Sequence, residues 1–247
     1  MLKYNLINYL ISHEHIIMIL YGFFVTIMVS LCAIVISFII GYNFVIVIIC
    51  EKKFLNLIIK LYILLFRNTP LLIQLFFWYF IVPQILPSFV MQWLNISHTI
   101  NIFNIKILWP SFEFLSGVVG LSLYSAAFII EDLRGGIYGV PYEQKNAALA
   151  LGFSKWQTMN FVILPQALKI AKSPLLSQCM NIIKNSSLTM AIGVTELSYV
   201  SRQIESESLQ LFTAFGISTF LYIFMIAIIG IYDNKYQKNI SKFNWYK

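Results

Sequence analysis

From Ile16 to Cys50 the chain runs 35 residues without one charged side chain. As a helix rising ~1.5 Å per residue, this run is on the order of 50 Å long, against a hydrocarbon core of ~30 Å. It therefore predicts a membrane span that tilts or projects beyond the bilayer. It also outlasts the ~7–15 apolar residues of a cleavable signal, so it is expected to be a retained first span. Composition points the same way, with 59% apolar and 11% charged residues, where a soluble domain carries roughly 25% charged residues. Such a chain has too little polar surface to face water, which argues against a soluble enzyme, and too much apolar surface to remain disordered.

Charge and proline divide the rest. Glu51, Lys52 and Lys53 end the first run, and a second stretch reaches from Phe54 to Leu86. Pro70 should disrupt helix geometry within it, and Pro83 and Pro87 are expected to end it. Ser88 to Ser111 reads as a loop with an interfacial piece around Trp93 and Trp109. Further spans are predicted over Phe114–Ile130, closed by Glu131, Asp132 and Arg134, over Leu175–Gly193, and over Ser208–Tyr232. Between them, 139–172 is too polar to face lipid and reads as two short helices split near Gly152, with a stop at Pro165. Glu196 to Glu207 reads as a short polar loop. The expected fold is all-α with about five transmembrane helices: an N-terminal segment (1–15), a transmembrane domain (16–233) and a basic tail (234–247).

Net charge is +7, from 17 Lys and Arg against 10 Asp and Glu. Its distribution orients the chain, because basic residues concentrate in cytoplasmic segments. With the tail inside, the inner segments hold Lys52, Lys53, Arg134, Lys145, Lys155, Lys169, Lys172 and the tail lysines. The outer segments hold Lys3, Lys106 and Arg202. The N-terminus is thus expected outside (periplasmic) and 139–172 in the cytoplasm. Membrane topology explains the basic balance without nucleic acid.

Enzyme chemistry finds no support in the residues. No GxxxxGK[S/T] phosphate loop and no HExxH zinc motif occur. His13, His15 and His98 lack a matching acidic or cysteine cluster. Cys32, Cys50 and Cys179 are odd in number and widely spaced, so they read as small buried apolar residues rather than disulfide or metal ligands.

The informative segment is Pro141-Tyr142-Glu143-Gln144-Lys145-Asn146-Ala147-Ala148-Leu149-Ala150-Leu151-Gly152, followed by Val162-Ile163-Leu164-Pro165. Ala147 and Ala148 favour helix with little side-chain bulk. Gly152 lets the chain leave that helix in a left-handed conformation, and Pro165 is expected to start a new direction. The stretch resembles the cytoplasmic EAA loop of ABC importer permeases, matched in register at Ala147, Ala148, Gly152, Leu164 and Pro165. Asn146 stands where that family has glutamate, which removes a charge from the loop. Phe66-Arg67-Asn68-Thr69-Pro70-Leu71 resembles the Arg-x-Thr-Pro-Leu block of the polar amino-acid permeases. Arg134-Gly135-Gly136-Ile137 and Lys184-Asn185-Ser186-Ser187-Leu188 resemble two further blocks of theirs. The resemblance runs from about Gly22 to Tyr232 and is strongest toward glutamate/aspartate permeases.

That resemblance implies a type I importer transmembrane domain in a bacterial inner membrane, without a cofactor of its own. It implies a cytoplasmic ATPase dimer that uses ATP, a second permease subunit and a periplasmic amino-acid-binding protein. Asn146, Ala147, Ala148, Gly152, Leu164 and Pro165 would form the coupling loop. Ionisable groups inside spans usually face a protein interior or a water-filled path. Arg67 and Lys184 are therefore candidate contacts for an acidic amino acid, with Asn68, Thr69, Asn185, Ser186 and Ser187 as hydrogen-bonding neighbours. The alternatives are that Arg67 snorkels to the interface and Lys184 pairs with a backbone carbonyl. For Glu131 and Asp132 the simplest reading is pairing with Arg134 or a lysine. Glu196, Glu205 and Glu207 read as a solvated outer loop.

Overall fold

The computed structural model describes residues 12–49, 53–96, 99–102, 105–108 and 110–242. Cys50, Glu51, Lys52, His98, Trp109, Lys247 and most of the N-terminal segment lie outside the described residues. The first apolar run is one helix, α1 (His13–Ile49), of 37 residues, about 55 Å at ~1.5 Å per residue. It is followed by α2 (Lys53–Asn68), then α3 (Leu71–Phe76), a wide π turn (Phe77–Ile81) and α4 (Val82–Ile85). After α5 (Ser88–Asn95), strands β1 (Thr99–Ile102) and β2 (Ile105–Leu108) pair antiparallel, with Thr99 opposite Leu108. Then come α6 (Phe112–Tyr138), α7 (Tyr142–Ala150), α8 (Lys155–Gln157), a second π turn (Thr158–Ile163) and α9 (Leu164–Ser186). A 3-10 turn (Ser187–Ile192), α10 (Leu197–Ser208) and α11 (Leu211–Lys242) complete the order.

Among the described residues, α1, α6 and most of α11 are long and apolar enough to cross a membrane. The pair α2 and α3–α4 makes a fourth crossing if counted as one broken span. The break falls where expected: α2 ends at Asn68, and Pro70 caps α3 in an extended conformation. Elsewhere the expectations need correction. Pro83 does not end the second stretch, and Pro165 does not stop a helix. In each case a π turn closes two residues ahead of the proline. Val82 donates its N–H to the Phe77 carbonyl, and Leu164 donates to Met159, both five residues back. The widened turn absorbs the missing proline donor, so helix continues. Pro174 likewise lies inside α9. The predicted span Leu175–Gly193 is the later part of α9 and its 3-10 extension, and α9, carrying Lys169, Lys172 and Lys184, is not among the helices apolar enough to span alone. Ser88–Ser111 contains a helix and a hairpin rather than only a loop, and Glu196–Glu207 is mostly helix α10. Cys32 is exposed on α1, not buried, while Cys179 is half-buried.

Two compact units divide the chain. The first comprises 1–33, 69–122 and 182–225; the second comprises 34–68, 123–181 and 226–247. In the first, Ile19 of α1 packs with Leu197, Val200 and Ile204 of α10 and Ala214 of α11. In the second, Val45, Ile59, Ile63, Ile129, Ile130 and Leu133 form a core with Ala171 and Leu175 of α9. Because lipid is as apolar as these side chains, close packing holds such helices together, and small residues matter. Gly136 is the clearest case. A Cβ placed there would stand 2.5 Å from the Ala167 carbonyl oxygen, whereas one at Gly135 meets nothing within 4 Å. Gly136→Val should lower the stability of the purified chain by about 1–3 kcal/mol. Gly135→Ala should leave stability unchanged or raise it by up to about 1 kcal/mol. Thermal unfolding of both variants in detergent checks the contrast.

Candidate functional site

Helix α7 is short, exposed and closed at its C-terminal end. Pro141 stands at its N-cap, and only Ala148 of its residues is buried. Asn146 and Ala147 are exposed. At the far end the Gly152 N–H reaches the Leu149 carbonyl at 3.0 Å and the Phe153 N–H reaches the Ala148 carbonyl at 3.1 Å. This is a Schellman closure, which requires a left-handed residue, and Gly152 has φ +87°. The next turn is fixed at once: the Ser154 hydroxyl accepts from the Gln157 N–H, and the Gln157 side chain accepts from the Ser154 N–H. These reciprocal bonds satisfy donors that a helix start otherwise leaves open. Leu151 and Trp156 are left exposed beside this rigid projection. Leu164 and Pro165 open α9, one π turn beyond α8.

The predicted path residues fall in both units. Arg67 and Asn68 end α2 in the second unit, while Thr69, Lys184, Asn185, Ser186 and Ser187 belong to the first. Arg67 Nη1 lies 3.6 Å from Glu131 Oε2, and its guanidinium sits 5.1 Å from the Phe128 ring centre. Glu131 also accepts a hydrogen bond from Arg134. Asp132 accepts from the Gln178 amide at 2.9 Å. Glu131, Asp132 and Arg134 therefore do not close the third span. They ride in α6, which continues to Tyr138 because its charges are paired.

In the first unit, Lys184 is exposed near the end of α9. Ser186 is fully buried and its hydroxyl donates to the Ile183 carbonyl at 2.7 Å. Ser187 donates to the Lys184 carbonyl at 2.7 Å. The Gln74 amide donates to the Thr69 hydroxyl at 2.6 Å.

One residue read as a solvated loop glutamate is the most buried acid described. Glu196 has no exposed surface. Its carboxylate accepts from the Ser198 and Tyr199 N–H groups, each at 2.9 Å, and from the Tyr222 hydroxyl at 2.5 Å. It caps α10, and the Leu197 N–H beside it donates to the Thr26 hydroxyl at 3.0 Å. The signal was available: an acid directly ahead of an amphipathic segment, Leu197-x-x-Val200-x-x-x-Ile204, is an N-cap pattern.

Long apolar helices with a short, exposed projection fit a membrane-embedded helical protein. The family model "binding-protein-dependent transport system inner membrane component" matches residues 33–238, and the chain belongs to that family. Within it the chain is a polar-amino-acid ABC-importer permease subunit, not a catalytic enzyme. It is 35% identical over 209 residues to the glutamate/aspartate import permease protein GltJ of Escherichia coli, covering 84% of this chain and 81% of that one. It is 30% identical over 221 residues to the probable glutamine ABC transporter permease protein GlnM of Bacillus subtilis, covering 90% and 92%. A solved structure of an amino acid ABC transporter with histidines superposes with a TM-score of 0.74 at 25% identity, covering 92% of this chain and 95% of that one. The MetNI methionine transporter, at 18% identity and a TM-score of 0.67, shares the fold, with coverage of 92% and 99%. Family membership implies a cognate ATPase and a periplasmic binding protein.

Glu196→Ala should cost about 1–3 kcal/mol, because it strips a cap and orphans buried donors. Burial pushes the Glu196 carboxyl above its ordinary range, and its hydrogen bonds only partly oppose that. The folded state then holds a proton that the unfolded chain has released. This contribution is full below the unfolded pKa and is lost as pH rises through the raised folded value. A melting series should show stability rising on acidification from pH 7 toward 5, less steeply in Glu196→Gln. Equal slopes would remove Glu196 as the source.

Proposed function

We propose that the chain is the permease subunit of a glutamate and aspartate importer. The observation that carries this reading is the 35% identity to GltJ across 84% of the chain. In this reading a binding protein delivers the amino acid at the outer face, and an ATPase dimer closes on ATP. Helix α7, gripped by the ATPase surface, passes that motion to the spans. A second permease subunit completes the path.

Five crossings, with the N-terminus outside and the tail inside, belong to this reading. Among residues with described side chains, the first unit holds two basic residues, Lys184 and Arg202, and the second holds ten. That asymmetry supports placing the second unit's loops in the cytoplasm.

Lys184 is the candidate for a substrate carboxylate, because it is exposed and makes no ion pair among the described residues. Arg67, with Asn68, would contribute only if it leaves Glu131 during transport. That pairing favours a second reading, in which the substrate is a neutral polar amino acid such as glutamine. Competition uptake into proteoliposomes bearing the assembled importer separates the two. Under the first reading the vesicles take up glutamate and excess aspartate abolishes that uptake; under the second they take up glutamine, and excess aspartate leaves that uptake unchanged. Lys184→Met should reduce acidic amino-acid uptake about tenfold or more, the loss expected for one charge-assisted hydrogen bond; unchanged uptake kinetics would remove it from the path.

The lever is tested at Gly152. Nothing stands within 4 Å of a Cβ there, so the cost of a side chain is conformational. Gly152→Val should uncouple ATP hydrolysis from uptake without preventing membrane insertion, and Gly152→Asn, which tolerates the left-handed region, should largely restore coupling. Full uptake by the valine variant would sink the lever assignment.

A further inference from the structure

The second unit contains a cleft of about 670 Å³ that the transport reading does not use. It gathers the end of α1, the start of α2, the end of α6 and the start of α7. Its basic rim is Lys60, Arg134 and Lys145, and its wall includes Val45, Ile48 and Ile137. Lys60 and Lys145 are exposed and form no ion pair among the described residues. Arg134 shares its charge with Glu131, yet its Nε is buried without a hydrogen-bond partner among the described residues. Asn56 Oδ1, also lining the cleft, is a second buried polar atom without a partner. Buried orphans of this kind are uncommon and call for a missing polar partner.

We propose that this cleft holds the headgroup of an anionic phospholipid. The occupant must be anionic to meet three cations, and the two unpaired lysines leave the site with uncompensated positive charge. It must carry an apolar portion, because the wall includes Val45, Ile48, Ile49 and Ile137. The phosphate accepts from the exposed Lys60 and Lys145 ammonium groups. Basic pockets among the ends of membrane helices bind acidic headgroups in this manner. Because the cleft lies against the first turns of α7, a bound lipid would brace the projection from below. The inference is independent of which amino acid is carried.

The test uses the permease purified with its ATPase partner. Lipids retained by the complex are identified by native mass spectrometry. Retention is then compared in nanodiscs of phosphatidylcholine alone and of phosphatidylcholine mixed with phosphatidylglycerol. The wild-type complex should retain phosphatidylglycerol selectively. Lys60→Gln and Lys145→Gln should each weaken retention about fivefold, the worth of about 1 kcal/mol per lysine near a membrane surface. Lys60→Arg should restore it, and Lys235→Gln, outside the cleft, should not change it. Equal retention by wild type and the Lys60/Lys145 double variant would overturn the proposal, as would an equal loss in Lys235→Gln. Displacement of phosphatidylglycerol by inorganic phosphate at matched concentration would overturn the lipid in favour of a free anion.

Discussion

A charge carried by an apolar helix must be neutralised where it sits, because hydrocarbon neither hydrates nor screens it. Glu131 is where the second unit meets that demand. It lies between Arg67 of α2 and Arg134 one turn further along its own helix. Asp132 beside it is satisfied by Gln178 of α9. Phe128 offers its ring to the same Arg67 guanidinium. These contacts let α6 carry three charged residues within about one turn and continue to Tyr138. The turn at Gly139–Pro141 and helix α7 follow directly from that end. The position of helix α7 thus rests on ion pairing among partly exposed side chains of the second unit, and its own rigidity on the closures around Gly152 and Ser154.

The first unit answers the same demand with an acid and no cation. Glu196 finds its donors in the backbone of α10 and in the Tyr222 hydroxyl. Nearby, Ser201 of α10 bonds Ser218 of α11, and the Thr26 hydroxyl of α1 donates to the Gly22 carbonyl while accepting from Leu197. Polar groups from three elements are thereby spent on one another. α10 is held as a short helix where a loop would leave its donors bare.

What the chain disclosed in advance was local. The apolar run of α1, the break at Pro70 and the left-handed turn at Gly152 each depend on a residue's own covalent geometry or on neighbours within a turn. The four motif blocks identified the family for the same reason: they are short strings at fixed spacing. What stayed hidden depended on partners distant in the sequence. Glu131 looks like the end of a span until Arg67 is brought beside it. Glu196 looks solvated until Tyr222 covers it. The hairpin was a different kind of omission. Ile100, Ile102, Ile105 and Ile107 alternate with polar residues, which is strand periodicity, whereas the segment as a whole reads as a loop with an interfacial piece. Among the path candidates, sequence marked Arg67 and Lys184 as alike, and only geometry separated a paired cation from an unpaired one.

The two π turns carry a consequence for how side chains are aimed. A π turn holds one more residue than an α turn over nearly the same rise. Each residue advances an α-helix by about 100°, so every side chain beyond Ile163 is rotated by roughly that amount relative to an uninterrupted helix. The insertion acts as a phase shift. It decides which stripe of α9, from Ala167 through Ala171 to Leu175, turns toward the core and which toward the surroundings. Removing a single residue between Thr158 and Ile163 would leave the length of α9 almost intact while turning its buried stripe outward. The tolerance for proline at position 165 and the facing of a whole helix are thus set by the same one-residue surplus.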